Sequence, residues 1–233
     1  MNRRLVLWTA AIAAALMLIG LAGLDVPLAR AIRASGLEDA ALFRVGLDAL
    51  DTALGVHVWF WLAGTVCVAA GAIGLLWPRL PLPPRLPPAL LAAGLVQVAT
   101  IATMIQGKNA FGRMRPIALL ESGDWSRIWF AGGGSFPSGH GAFYFGLFLP
   151  LAAIAQPPWL RATLLAIPIY VVIARVDLAR HFLSDVMAST LIAALYALAA
   201  FVRAQALAAA ALSGFTRALC GARGRRVTSR RTT

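Results

Sequence analysis

Six stretches of this chain, 5–24, 53–77, 88–106, 141–156, 160–174 and 186–202, hold no acidic residue, and Lys or Arg only near their ends. About 20 apolar residues carry an α-helix across the hydrocarbon of a bilayer. The fourth and fifth stretches are shorter, and the residues before them, 137–140 and 157–159, are read as extra turns. Hydrocarbon offers no partner to a free N–H or C=O, so only helices or closed barrels cross it. Nothing in these runs alternates with period two, which favours helices. The expected fold is therefore all-α, an integral membrane bundle of six transmembrane helices covering residues 1–202. The first run is longer than the apolar region of a signal peptide, about 7–15 residues, and is read as a span that stays.

Composition removes other classes. The chain is 60% apolar and 13% charged, whereas soluble domains are nearer half and a quarter. Disorder needs low hydrophobicity. A net charge of +12 could suit a nucleic-acid binder, but not at this apolar content, so no nucleic-acid partner is expected. The charge sorts by side instead. With the N-terminus inside, the inner segments carry Arg3, Arg4, Arg79, Arg85, Arg161, Arg203, Arg217, Arg223, Arg225, Arg226, Arg230 and Arg231 and no acidic residue. The outer segments carry nine basic and all nine acidic residues. The positive-inside rule selects this orientation, with both termini cytoplasmic.

The connections differ. Residues 25–52 mix both charges with apolar residues at helical spacing, which predicts an amphipathic surface helix. Five prolines stiffen 78–87. The longest polar, glycine-bearing link is 107–136, and a basic tail fills 203–233. Two cysteines, one in an apolar run and one in the tail, make no disulfide framework.

Three polar clusters fall on one side of the six-span arrangement: Lys108 to Pro116, Phe136 to His140 and Arg175 to Asp185. Lys108, Arg115 and Arg175 offer cations to phosphate oxygens, the arginines in bidentate fashion. Ser138 and Gly139 sit where a helix should begin, and free N–H groups there favour an anion. His181 and Asp185 are four apart and would share a helical face. A carboxylate that keeps one imidazole nitrogen protonated frees the other as a nucleophile. His140 can then protonate the departing oxygen. Together these groups predict phosphoryl transfer through a phosphohistidine, with cations in the charge-stabilising part and no metal or other cofactor.

The pattern K-x6-R-P, P-S-G-H and R-x5-H-x3-D, present as Lys108…Arg115-Pro116, Pro137-Ser138-Gly139-His140 and Arg175…His181…Asp185, resembles the type 2 phosphatidic acid phosphatase superfamily. Its members include bacterial lipid phosphate phosphatases, glucose-6-phosphatase and vanadium haloperoxidases. The resemblance implies a six-helix membrane core, His181 as nucleophile, Asp185 as its orienting partner and His140 as general acid. It also implies that Lys108, Arg115, Ser138, Gly139 and Arg175 bind the phosphate. The family usually has Ser before the third motif's arginine, where this chain has Ala174.

The expectation is a phosphatase of the bacterial inner membrane with a periplasmic active site, acting on a membrane lipid phosphate. Undecaprenyl pyrophosphate, lipid A phosphate, phosphatidylglycerol phosphate and phosphatidic acid all fit. A lipid-to-lipid phosphotransferase would share the phosphohistidine. A channel or transporter would need charges along a path within the spans, which these runs lack. His57 reads as an interfacial histidine, and Arg113, Asp177 and Arg180 as local tuning residues. Headgroup choice is assigned to Asn109, Arg113, Glu121, Asp124, Trp125, Arg127 and Asp177.

Overall fold

A computed structural model describes residues 2–36 and 38–228, the side chains of residue 204 and of 207 onward excepted. Most of the basic tail assigned to 203–233 therefore has no described side chains, and Arg230 and Arg231 lie outside the described residues. The chain divides into two compact units, Met1–Leu198 and Ala199–Thr233. The second is helical as far as Thr228.

Among the described residues the structure is all helical, with no strand. Helix α1 (Arg3–Ile19) passes through a π-helical turn (Gly20–Leu24) into α2 (Asp25–Ala34). Then follow α3 (Ala41–Ala53), α4 (Leu62–Leu76), α5 (Leu86–Phe111), α6 (Pro116–Ser122), α7 (Gly139–Ile154), α8 (Pro158–Asp177) and α9 (Leu183–Thr228). Among the described residues four segments can cross a membrane by length and apolarity: Arg3–Ala34, Leu86–Ser122, Pro158–Asp177 and Leu183–Arg203. Two further apolar helices, α4 and α7, have 15 and 16 residues.

The helix ends explain where the apolar runs and the structure part. The second run starts at residue 53, but Gly55 takes a left-handed φ of 69° and the chain turns until α4 begins at Leu62. The third run ends at residue 106, yet nothing breaks the helix before Gly112, left-handed at φ 48°. Lys108 therefore sits on the last turn of α5 rather than in a loop. The single amphipathic helix expected over 25–52 is two helices, parted by a turn in which Gly36 and Asp39 both have positive φ.

Helix α7 is the centre. Every residue from Ala142 to Pro150 is buried. It packs between α5 and α8, with α1 against its far end and α4 on the outer side of α5. A polar clamp ties α5 to it: the buried Gln97 amide donates to the Phe143 carbonyl at 3.1 Å. Large apolar side chains are turned outward on α1 (Trp8, Ile12), α4 (Val66, Ile73) and α8 (Ile169, Ile173), as suits helices solvated by lipid. Helix α3 lies across α8. There Tyr170 donates its hydroxyl to the Leu42 carbonyl at 2.7 Å, and Asp177 accepts the Ala40 N–H at 3.1 Å.

Helices α4 and α5 approach through glycines. A Cβ on Gly94 would lie 2.6 Å from the Gly64 carbonyl oxygen and 2.7 Å from the Val68 nitrogen. Both are backbone atoms of a packed helix and cannot move aside. Gly94→Ala should therefore lower stability by about 1–3 kcal/mol, the usual range for overpacking. Thermal unfolding in detergent is the measurement, and an unchanged midpoint would mean that the helices separate freely.

Candidate active site

The turn between α8 and α9 places His181. Helix α8 ends at Asp177, Ala179 takes a left-handed φ of 47°, and the His181 N–H donates to the Arg175 carbonyl at 3.1 Å. His181 thus precedes α9 instead of riding on it. The expected shared helical face with Asp185 is corrected accordingly: the ring nitrogen Nδ1 stands 3.6 Å from Asp185 Oδ2, too long for a hydrogen bond. Nδ1 donates instead to the Ser135 backbone carbonyl at 2.8 Å. That choice leaves Nε2 with its lone pair. Asp185 is itself held by the Ser135 hydroxyl (2.5 Å), the Phe182 N–H (2.8 Å) and Arg113 Nη1 (2.6 Å). It lies beside the imidazole as a charge rather than as a direct acceptor.

His181 is 2% exposed. Burial is the largest influence on its pKa and outweighs the upward pull of Asp185. Arg175 and Lys108 push the same way as burial, and the ring falls to about 4. It is therefore neutral near pH 7, the form a nucleophile needs.

His140 is the second residue of α7. Its Nε2 stands 2.9 Å from Asp51 Oδ2, and the other oxygen of that carboxylate accepts the Tyr144 hydroxyl at 2.7 Å. With Nε2–H committed to Asp51, Nδ1 is the nitrogen free to exchange a proton. Burial would raise the Asp51 carboxyl, but the His140 and Tyr144 hydrogen bonds hold it below its ordinary value.

Ser138 caps α7, accepting the Gly141 N–H at 3.3 Å. Lys108 reaches this end of the helix: its Nζ is 3.8 Å from where a Cβ on Gly139 would stand, and 4.0 Å from that of Gly134. Lys108 also feels the charges of Arg115 and Arg175. Among the described residues none of the three cations has an ion-pair partner, and Arg175 Nε is buried without an acceptor. Three mutually repelling cations at a helix N-terminus form a cradle for an anion.

A cavity of about 560 Å³ is lined by Asp48 and Asp51 of α3, by Arg115, and by Arg175 and Arg180, with Arg33, Glu38 and Arg44 also on its wall. Two of the three cations line it; Lys108 and the two histidines do not. The headgroup-choosing residues placed at 109–127 and at Asp177 do not line it; the segment 33–51 does. Asp177 anchors the connection before α3, and His57 pairs at the surface with Asp48 at 3.2 Å. The residues missed in the sequence are Asp51, Asp25, Ser135 and Ser184. Asp25 carried a readable signal: a carboxylate at the end of an uninterrupted apolar run needs a partner.

A nitrogen-15 titration of the histidines checks the buried ring. The signal lost in His181→Asn should titrate near 4; a value near an ordinary histidine, about 6.5, would place the ring in water.

A family model described as the PAP2 superfamily matches residues 88–216, more than half of the chain. No curated protein and no solved structure matches it.

Proposed function

The chain belongs to the PAP2 superfamily, a superfamily of phosphatases, and on that premise we propose that it is a metal-independent phosphatase of membrane lipid phosphates. The observation that carries the reading is the convergence of three unpaired cations and the α7 N-terminus on two histidines, each beside a carboxylate. Lys108, Arg115, Arg175, the Gly139 N–H and the Ser138 hydroxyl take the phosphate, while the Ser138 N–H is spent on the Asp185 carbonyl at 3.0 Å. His181 Nε2 attacks phosphorus as the phosphorus–oxygen bond to the lipid breaks. His140 gives a proton to the departing oxygen, and the lipid alcohol or phosphate leaves. Water then attacks the phosphohistidine, His140 takes its proton, and inorganic phosphate departs with His181 neutral again.

The setting supports a lipid substrate. The helices around the site are apolar enough for a bilayer, so a substrate whose tail stays in lipid can bring its phosphate to a polar mouth. The charge asymmetry of the connections supports a periplasmic site in a bacterial inner membrane, with both termini cytoplasmic. Undecaprenyl pyrophosphate and lipid A phosphate are the preferred candidates, since both are processed at that face. A reporter fused to the C-terminus should read as cytoplasmic; a periplasmic reading would move the site to the other side.

Purified protein should release phosphate from at least one member of a panel of these lipids, with chelator present. His181→Ala should abolish release, and retained activity would sink the mechanism. Asp51 sharpens the test of His140. With the acid disoriented, Asp51→Asn should slow an alkyl phosphate by about 10²-fold, the lower range for general acid catalysis. It should slow p-nitrophenyl phosphate, whose leaving group needs no proton, far less. Equal losses on both would assign Asp51 to folding alone.

A further inference from the structure

Asp25 has no part in the reaction above and lies outside the segment matched by the family model, yet it is buried and points at the catalytic apparatus. Its Oδ2 accepts from Arg113 Nη2 at 2.8 Å and from the Ser184 hydroxyl, and its Oδ1 accepts the Ser184 N–H at 3.0 Å. Arg113 in turn gives Nη1 to Asp185 Oδ1 at 2.6 Å and to the Ser184 hydroxyl at 2.7 Å. Its guanidinium lies over the rings of Trp129 and Phe182, at 4.3 and 4.1 Å from their centroids. Asp25, Arg113 and Asp185 are each at most 3% exposed. They form one chain of charge, minus–plus–minus, ending beside His181.

The backbone is bent to make this chain. The π-turn Gly20–Leu24, with Gly23 at φ 147°, ends at Asp25. Gly20 leaves room for the carboxylate: a Cβ there would be 2.7 Å from Asp25 Oδ1 and 3.0 Å from Ser184 Cβ.

The electrostatics give the chain a task. Forming the bond between Nε2 and phosphorus makes the imidazole cationic, and Asp185 is the anion placed to stabilise that state. A guanidinium on Asp185 with nothing behind it would cancel the charge, strongly so in a buried setting. Asp25 behind Arg113 restores a net charge of minus one. We propose that Asp25 is a positioning residue for phosphoryl transfer: it neutralises Arg113, so that Asp185 keeps its place and its net negative influence on His181. The inference rests on the reading of His181 as the nucleophile.

The test uses the full chain in detergent with p-nitrophenyl phosphate, reading kcat, KM and inhibition by inorganic phosphate for Asp25→Asn, Arg113→Gln and the double variant. Asn keeps the shape of Asp25 and one accepting oxygen, enough for Arg113 and the Ser184 hydroxyl, but loses the charge and the acceptor of the Ser184 N–H; the double variant carries the same lost acceptor and so separates it from the charge. Asp25→Asn should lower kcat by about 10-fold, on the order of one tenfold step per 1.4 kcal/mol of transition-state stabilisation. KM and phosphate inhibition should stay near wild type, because Lys108, Arg115 and Arg175 are untouched. The double variant removes one charge of each sign and should regain most of the lost kcat. Asp25→Asn at wild-type kcat would overturn the proposal, as would a double variant no better than Asp25→Asn. If Asp25→Asn does not fold, the comparison is between the double variant and wild type, which share a net charge of minus one beside His181. A double variant with kcat near wild type supports a purely balancing charge, and one about 10-fold or more below it overturns the proposal. His181→Ala runs in the same assay. Its activity would defeat the nucleophile and this inference together, whereas a silent His181→Ala beside a fully active Asp25→Asn defeats only the inference.

Discussion

Lys108, Arg115 and Arg175 repel one another, and none of them has an ion-pair partner among the described residues; the bundle holds them there. Each comes from a different piece of backbone: the last turn of α5, the residue before α6 and the last turns of α8. They meet only because α5 and α8 both pack on α7, whose own N-terminus faces the same spot. Folding thus carries a local electrostatic cost that an anion repays on binding, a form of preorganisation. The same positive field helps keep His181 neutral. The cations thus add to burial, the larger cause, in holding the ring neutral.

What could be read in the sequence was what is local in it. Ser138, Gly139 and His140 are consecutive, so a helix start and a histidine beside it are visible as letters. The six apolar runs marked helices α1, α4, α5, α7, α8 and α9 in order, because in lipid hydropathy alone decides; α6, in the polar link, had no such mark. Their ends were less legible, since Gly55 and Gly112 act through backbone conformation rather than polarity. The carboxylates were hidden by distance. Asp51 is 89 residues from His140, and Asp25 is 88 from Arg113; only packing brings them together. The four-residue spacing of His181 and Asp185 pointed to the right pair by the wrong geometry, because the helix starts at Leu183, after the histidine.

The family match begins at residue 88, so the cradle and both histidines lie inside it. The carboxylate beside His140 and the one behind Arg113 come from outside. The cavity rim is also largely the work of α2 and α3 with the turn between them. The chain therefore divides into a segment that holds the groups proposed to react and a preceding one that completes their surroundings.

Helix α3 has three faces. One packs on α8 through Gly46 and Leu47, one lines the cavity with Arg44 and Asp48, and one leaves Leu42 and Val45 exposed. The turn after it adds exposed Val58 and Trp59. A helix with such an outer face suits the level of the lipid headgroups. Its last turn carries Asp51, so the seating of α3 against α8 sets the register between that carboxylate and His140, which belongs to α7. On the proposed mechanism, a bilayer that displaced α3 would act on the proton donor without touching the phosphate.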